Sequence, residues 1–403
     1  MTSEELTRSP ELDLFRLMTN PGEYLTLHVP RAVTRARYFN GAPIWLVSRY
    51  EDIRAVLQDP GISSNPHSRA ADGFPDVAAG QPAAFRPYAK LSIGTMDPPD
   101  HSRLHRLLSQ AFNPRRVQQL RPRIQQLTDD LLDRRPGSDE VDLLEFLAYP
   151  LPISVICELI GVPPEQRERW SGWTQELTWA TPDRIAAAAG GIVEDARRLI
   201  ALRRADPAGD LLSELVSAHD RDAGRLSDDE LVSMVITFLY VGHETTVQLI
   251  GNGVFALLTH PDQLALLRDR PDLLPHAIDE LLRFFSPMDI GVPRFTTEPV
   301  EIGGVRIPAG ETIQVVYAAG NRDPERFGDP EQLDITRADD QHLAFGWGPH
   351  YCLGAALAKA QGEIAIGSLI RRHPGLALAV PPEQVHWRIG FARGLDRLPV
   401  RLA

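Results

Sequence analysis

The chain has 403 residues, of which 43% are hydrophobic, so it can bury either one large core or two ordinary ones. The formal net charge of −12 argues against general nucleic-acid binding. Cys157 and Cys352 are too few for a disulfide framework and lack zinc-type spacing, so we expect a reducing, cytoplasmic environment. We predict no signal peptide and no membrane span, because the N-terminus has no apolar core and the longest apolar stretch is too short.

The first predicted elements are a strand and a helix. The stretch APIWLVS (42–48) has the apolar and β-branched composition of a strand. In the SRYEDIRAVLQDP that follows, Ser48 and Glu51 have the spacing of a capping box, which predicts a helix that opens at Ser48 and stops before Pro60.

From Asp100 to about Pro287 the pattern is helical almost throughout. The longest predicted helix covers SDDELVSMVITFLYVGHETTVQLIGNGVFALLTHP. It opens at a second capping box, Ser227 with Glu230, and ends at His260. Because this helix is apolar on most faces, we expect it to be buried.

The middle of this helix reads VGHETT, with Gly242, Glu244 and Thr245 where a buried helix favours leucine or alanine. Glycine costs about 1 kcal/mol relative to alanine inside a helix, and threonine hydroxyls can bond back to the preceding turn. The pattern indicates either a harmless kink or a functional site. A zinc motif H-E-x-x-H is excluded, because Val247 stands where the second histidine would be.

The last third of the chain mixes helices and strands. AIDELLRFFSP places Glu280 and Arg283 one helical turn apart, and VEIGGVRIPAGETIQVVYAA predicts paired strands. A final helix begins right after Cys352 and ends near RRHPG. We therefore predict a mainly α chain with a minor β region at about 30–60, 290–320 and the C-terminus, forming a single domain over residues 1–403.

Cys352 lies in HLAFGWGPHYCLGAALAKAQ (342–361), between glycines and the start of a helix. The first turn of a helix favours a thiolate, and Gly346 and Gly348 allow the tight backbone turn that this site needs. Gly354 would let a flat group lie against the helix start, and His350 offers a donor to an anion. Two readings follow from the residues alone: a buried structural cysteine, or a thiolate ligand to a metal that a cofactor brings.

The stretch FGWGPHYCLGAALA resembles the heme-binding loop of the cytochrome P450 family, F-G-x-G-x-H-x-C-x-G-x-x-L-A. The matching residues are Phe345, Gly346, Gly348, His350, Cys352, Gly354, Leu357 and Ala358. The resemblance implies the fold of that family, a triangular helix-rich prism with heme between the long distal helix and the helix after the cysteine loop. It also implies heme b as cofactor and Cys352 as the axial ligand of its iron.

The VGHETT segment is similar to the distal motif of the same family, [A/G]-G-x-[D/E]-T-[T/S]. The similarity assigns Glu244 and Thr245 to proton delivery and oxygen stabilisation. Val241 departs from the small residue expected at the first position, and we expect its methyl groups to crowd the space above the heme.

Two further sets of residues follow from the family's pattern. His101 and His105, Arg294 and His350 would hold the heme propionates, with His105 standing where arginine is usual. Glu280 and Arg283 match E-x-x-R, a structural motif. We expect Arg337 to be its third partner, with Arg322 as the competitor.

The resemblance also places substrate contacts and an electron donor. The substrate contacts are Ile93, Val241, Gly242, Met288, Asp289, Ile290 and Phe391. Asp289 would meet a polar or cationic group of the substrate, or else be a solvated loop acid. A basic face on the thiolate side would attract an acidic ferredoxin, itself served by a ferredoxin reductase. Its members are Arg103, Arg106, Arg115, Arg116 and Lys359.

These features together predict a heme-thiolate monooxygenase of bacterial type that inserts one oxygen atom from O₂ into a small organic substrate. Hydroxylation or epoxidation in secondary metabolism is the expected reaction, with electrons from separate redox proteins. The alternatives are a coupling or peroxide-using variant, a heme-thiolate sensor without turnover, and a heme-free enzyme with Cys352 as nucleophile and His350 as base.

Overall fold

The computed structural model describes residues 12–14, 33–66, 81–134, 138–179, 181–221, 226–338, 341–388 and 392–402. Helices dominate these residues, which confirms the predicted mainly α class. The α-helices are α1 Tyr50–Gln58, α2 Arg86–Ala89, α3 Asp100–Ala111, α4 Pro114–Leu132, α5 Pro150–Leu159, α6 Arg167–Trp179, α7 Pro182–Ala205, α8 Leu211–Arg221, α9 Asp228–Thr259, α10 Pro261–Asp269, α11 Leu274–Phe284, α12 Tyr317–Gly320 and α13 Ala355–Arg372.

The strands fall mainly where the sequence predicts them. There are two additions, one at 12–13 and one at 140–142 inside the region predicted as helical. They are β1 Leu12–Asp13, β2 Val33–Arg37, β3 Pro43–Val47, β4 Ile62–Ser63, β5 Glu140–Asp142, β6 Arg294–Thr296, β7 Val300–Ile302, β8 Val305–Ile307, β9 Thr312–Val315, β10 Ala377–Leu378, β11 Trp387–Arg388, β12 Gly394–Leu395 and β13 Pro399–Arg401.

The largest sheet has the order β1-β2-β3-β9-β6-β4, and its centre joins distant parts of the chain. Strand β3 pairs in parallel with β9, with Trp45 opposite Ile313. The GGVRIP segment forms the antiparallel hairpin β7–β8, as its Gly-Gly pair predicts. A second hairpin, β11–β12, pairs Trp387 with Leu395 and Arg388 with Gly394. That all 403 residues form a single domain stays a prediction.

The two predicted capping boxes have different outcomes. At the start of α9 the Ser227 hydroxyl accepts from the Glu230 amide, and the Glu230 carboxylate accepts from the Ser227 amide, so this box is confirmed. The box at Ser48 is wrong, because α1 begins one residue later, with Arg49 at the N-cap and no side-chain cap there. The carboxylate of Asp323 accepts from the Tyr50 amide instead, at 2.8 Å.

Helix α9 runs through the main hydrophobic core and organises the helices around it. It packs against α5, α7, α11 and α13, and most of its residues are buried, as its apolar faces predict. Helix α13 also packs against α4 and α11. The loop that precedes α13 carries Cys352. The position of the cysteine is therefore fixed by α13, which is packed in the core.

Candidate active site

The loop around Cys352 is a tight turn that opens helix α13. The Cys352 amide donates to the carbonyl of Phe345 at 3.0 Å, and Gly346 and Gly348 have left-handed φ angles of 70° and 72°. A short 3₁₀ turn covers Gly348–His350, and Gly354 is the N-cap of α13. The backbone thus makes a tight turn between Gly346 and Cys352, and this turn places the Cys352 sulfur at the start of α13.

Cys352 is exposed to a cavity of about 860 Å³, and protein surrounds its sulfur on the other sides. Burial raises the pKa of the thiol, and the amides of Gly354 and Ala355 lower it by a smaller amount. The amides at the helix start thus favour the thiolate, as the sequence predicts, but burial outweighs them and the pKa of the thiol is raised overall. A bound metal cation would reverse the balance, because a coordinating thiol is deprotonated.

A cluster of one arginine and three histidines lies beside this cavity, and we call it the cation cluster after its arginine. It consists of His101 and His105 from α3, His350 from the cysteine loop and Arg294 from β6. The ring centroids of His101 and His350 are 4.0 Å apart, and those of His101 and His105 are 5.4 Å apart. His101, His105 and Cys352 line the same cavity.

The cation cluster has few partners of opposite charge. Burial, and then neighbouring positive groups, lower the pKa of His350 to about 3 and also lower the pKa of His101. Arg294 is buried, and its Nη1 makes no hydrogen bond to any residue that the structure describes. The nearby carboxylate of Asp97 already accepts from Ser63 and from the Ser64 amide. His101 and His350 are therefore neutral hydrogen-bonding groups at neutral pH, and the buried guanidinium of Arg294 is the charge that needs an anionic partner.

On α9, Val241 and Thr245 form an accessible strip within an otherwise buried helix. Val241 is 40% exposed, whereas His243 and Glu244 are buried. The Thr245 hydroxyl donates to the Val241 carbonyl at 2.9 Å, and the Thr246 hydroxyl donates to the Gly242 carbonyl at 3.1 Å. Both threonines thus bond back to the preceding turn, and the helix remains continuous.

Glu244 points to a different neighbourhood from Thr245. Its Oε1 accepts from Arg388 of β11 and, at 2.8 Å, from Gln248 one turn further along α9. Burial raises the pKa of this carboxyl, and Arg388 opposes that effect. Sequence reasoning missed Arg388, since it lies 144 residues from Glu244 and no local pattern links the two.

Comparison with known proteins decides the family. The chain is 47% identical over 378 residues to Cytochrome P450 107B1 of Saccharopolyspora erythraea, and the match covers 92% of both chains. The protein belongs to the cytochrome P450 family. The P450 family model itself matches residues 265–376.

Other relatives of this P450 are named for oxygenation reactions. It is 43% identical to the 6-deoxyerythronolide B hydroxylase of Saccharopolyspora erythraea, over 94% of this chain and 95% of the relative. The solved structure of the tirandamycin C-bound P450 monooxygenase TamI is 40% identical, with a TM-score of 0.88 over 97% of this chain and all of that one. The enzyme is accordingly a P450 monooxygenase, an oxidoreductase that incorporates oxygen.

P450 enzymes carry a heme with a cysteine thiolate ligand, and the residues of this chain fit such a group. The cavity beside Cys352 is large, and the buried Nη1 of Arg294 is a donor in need of an anion. Propionates would supply the anionic partner that Arg294 lacks and would accept hydrogen bonds from the neutral histidines beside it. The fit rests on these groups: a thiol that lines the cavity, and a buried arginine with neutral histidines beside it.

The structural motif of this P450 is a buried network centred on Glu280. Arg283 donates to both of its carboxylate oxygens, at 2.7 and 2.8 Å, and Arg337 donates to Oε2 at 3.2 Å. Arg322 is engaged elsewhere, with the carboxylate of Glu331 and the carbonyl of Phe284. Of the two candidates, Arg337 is the one that reaches Glu280.

The predicted substrate contacts lie in four separate segments. Ile93, Gly242, Met288 and Ile290 are half-buried, and Val241 is exposed. Phe391 lies outside the described residues. Asp289 is buried and 3.4 Å from Arg393, and burial raises the pKa of its carboxyl. The reading of Asp289 as a solvated loop acid is therefore wrong, and an arginine already occupies the position of its expected cationic partner.

The basic face near the thiolate is smaller than the sequence predicts. Arg103 pairs with Asp100 and Glu230, and Arg116 pairs with Glu214. Lys359 pairs with Asp279 at 2.7 Å. Two arginines remain as exposed cations without an ion pair in the described part of the chain. They are Arg106 and Arg115.

Within the described residues, no helix combines the length and the apolar character that a bilayer crossing requires.

Proposed function

We propose that this P450 inserts one oxygen atom into a C–H bond or a double bond of a small organic compound of secondary metabolism. The proposal takes heme b as the cofactor, held by Cys352 and by the cation cluster. The observation that carries it is the shared cavity, which brings the Cys352 thiol together with His101 and His105. The arrangement matches a flat, anionic, iron-bearing group better than a nucleophile and base pair, since His350 bonds to Ser64 at 2.9 Å.

In this proposal the heme supplies the activation of O₂ when it is bound, and the chain supplies ligation, protons and positioning. Thr245 offers an accessible hydroxyl beside Val241, and Glu244 offers a carboxyl one residue away. A hydroxyl can accept a proton from one neighbour and donate one to another, so Thr245 can hold a water in the line of proton transfer. The two residues are our candidates for ordered proton delivery.

The substrate class follows from the side chains and from the names of the relatives. Ile93, Val241, Met288 and Ile290 are apolar and partly accessible, which suits an apolar compound. Relatives are named for 6-deoxyerythronolide B hydroxylation, nocardicin C N-oxygenation and mycinamicin IV hydroxylation and epoxidation. We infer a tailoring reaction on a natural product of comparable kind.

A ferredoxin with its reductase is our candidate for the electron source. The chain is acidic overall, with a net charge of −12, yet Arg106 and Arg115 are exposed on α3 and α4. Arg106 lines the cavity that contains Cys352. A local positive surface on an acidic protein steers an acidic partner to that side. The cytoplasmic location stays a prediction.

The first test is the optical spectrum of the reduced protein under carbon monoxide. The wild-type protein should show the strongly red-shifted band of a thiolate-ligated heme, and Cys352→Ala should lose it. Cys157→Ala is the matched control, because Cys157 is buried in the core and burial raises the pKa of its thiol to about 12. A wild-type band of the histidine type would overturn the ligand assignment.

The reaction itself is tested with ¹⁸O₂ and a panel of natural products that shift the heme spectrum. Oxygenation requires a product that carries one ¹⁸O atom. A product that forms a new bond without gaining oxygen would point to the coupling variant instead. Products formed with hydrogen peroxide alone, at the same rate as with ferredoxin, would contradict the proposed electron route.

A further inference from the structure

The acid of the distal motif is held by the hairpin β11–β12 near the C-terminus. Arg388 donates through Nη2 to Oε1 of Glu244 and through Nη1 to the hydroxyl of Tyr149, at 3.1 Å. The side chains of Arg388 and Glu244 are 7% and 6% exposed, so water screens their interaction little. The pair joins the middle of α9 to a strand that follows it by more than a hundred residues.

The two carboxylate oxygens of Glu244 have different surroundings. Arg388 and Gln248 both donate to Oε1, whereas Oε2 is buried and has no hydrogen-bond partner within the described residues. A buried carboxylate oxygen without a donor costs free energy unless a proton or a water reaches it. Hydrogen bonds therefore hold Oε1 in place, whereas Oε2 is available to exchange protons.

Arg388 supplies the positive charge that faces this carboxyl. The other titratable groups around it are Tyr240 and His243 on α9 and Tyr149 before α5. Burial lowers the pKa of His243 to about 4, and burial raises the pKa of Tyr240, so both are neutral at neutral pH. Without Arg388, the neutral amide of Gln248 would be the one donor left to the buried carboxyl among the described residues.

We propose that Arg388 is a positioning residue for Glu244. Together with Gln248 it fixes Oε1, favours the ionised carboxylate over the protonated form and leaves Oε2 to receive and pass on protons. This inference rests on the proposed function, in which Glu244 delivers protons. In each transfer, Oε2 takes one proton from a water and gives one proton to a water. The carboxylate is regenerated, and no electron moves.

The direct test is infrared difference spectroscopy of the ferric protein, which needs no turnover. At neutral pH, Arg388→Met should increase the carbonyl stretch of the protonated, buried carboxyl group relative to the wild-type protein. Adding Glu244→Gln to that variant should remove the band. Arg388→Lys should restore the ionised form. Arg397→Met is the control, because Arg397 is 74% exposed and pairs with Asp142 away from the acid.

If Arg388→Met does not bind heme, Arg388→Gln takes its place, since glutamine retains a donor without the charge. A band in this variant that depends on Glu244 supports the inference. No such band in either variant overturns it.

The pH dependence of product formed per electron supplies a second readout. The acid limb of this profile should move upward by at least about one pH unit in Arg388→Met, because removing a cation raises the pKa of the carboxyl. Arg388→Lys should return the limb toward the wild-type position. An unchanged limb in Arg388→Met contradicts the inference. If the wild-type protein forms no oxygenated product, the proposed function fails, while the infrared result still decides the role of Arg388.

Discussion

Thr245 and Thr246 are neighbours on α9, but they differ in access to the surrounding space. Thr246 is 2% exposed, whereas Thr245 is half-buried beside the exposed Val241. Each hydroxyl bonds to the carbonyl four residues earlier, so the two make equivalent hydrogen bonds within the helix. Their comparison therefore separates a role in chemistry from a role in helix geometry.

We predict that Thr245→Ala lowers product formed per electron by about tenfold, because the hydroxyl that orders proton transfer is lost. Thr246→Ala should change this ratio much less, since it removes a similar bond on the buried side of the helix. The measurement is product and peroxide formed per electron consumed. Equal ratios for the wild-type protein and Thr245→Ala would show that Thr245 is not part of the relay.

Arg294 should have opposite effects on two properties of the protein. It lowers the stability of the apoprotein and strengthens the binding of the cofactor. A buried cation without a full set of partners destabilises the fold, while the same cation pairs well with a propionate. We predict that Arg294→Met leaves the apoprotein at least as stable but speeds heme loss by roughly ten- to a hundredfold. Heme transfer to an apoglobin measures the rate, and Arg306→Met on the exposed face of β8 is the control. An unchanged rate of heme loss would place the propionates elsewhere.

Helix α1 forms the wall against which the cysteine loop turns. A Cβ on Gly348 would lie 2.7 Å from the backbone carbonyl oxygen of Leu57, and its φ angle of 72° disfavours any side chain. We predict that Gly348→Ala destabilises the protein by about 2–4 kcal/mol and lowers its heme content. Gly310→Ala isolates the strain alone, since Gly310 has a φ of 81° and open space around it. Equal losses in the two variants would mean that the contact with α1 has no effect.

Helix starts that are capped by neighbouring residues could be predicted from the sequence. Helix starts that are capped by residues far away in the chain could not. The box of Ser227 and Glu230 closes within four residues, so its spacing was sufficient to place the start of α9. Ser48 and Glu51 have the same spacing, but the first turn of α1 is capped by Asp323. Asp323 lies 273 residues from Tyr50, so no pattern in the sequence around α1 can indicate this cap.

The site also combines residues that a local motif reveals with residues that are distant in the sequence. The cysteine loop is a continuous motif, so Cys352 and its glycines were readable in sequence. The partners of Glu244 and Asp289 come from the C-terminal segment, through Arg388 and Arg393. Both arginines lie C-terminal to the recognised motifs and are part of none of them. Tertiary pairing of buried charges therefore decides the electrostatics of the site, and only the folded chain shows it.

Asp279 ties three parts of the molecule together near the thiolate side. Its carboxylate lies 3.2 Å from His342 of the loop before Cys352 and 2.7 Å from Lys359 of α13, while the residue itself is on α11. Burial raises the pKa of this carboxyl, but His342 and Lys359 outweigh burial, and the net pKa lies below its ordinary value. The folded protein thus binds a proton at this group less readily than the unfolded chain does.

The sign of the pH effect follows from that difference. The stabilisation from Asp279 is fully present above the ordinary aspartate pKa and is lost as the pH falls through the lower value of the folded state. We predict that Asp279→Asn costs about 1–2 kcal/mol at pH 7 and removes part of the loss of stability on acidification. Denaturant unfolding at pH 7 and at pH near 3 measures both effects. Asp269→Asn is the control, because Asp269 is exposed at the end of α10. A constant difference between Asp279→Asn and the wild-type protein at both pH values would show that the ionisation of Asp279 does not stabilise the fold.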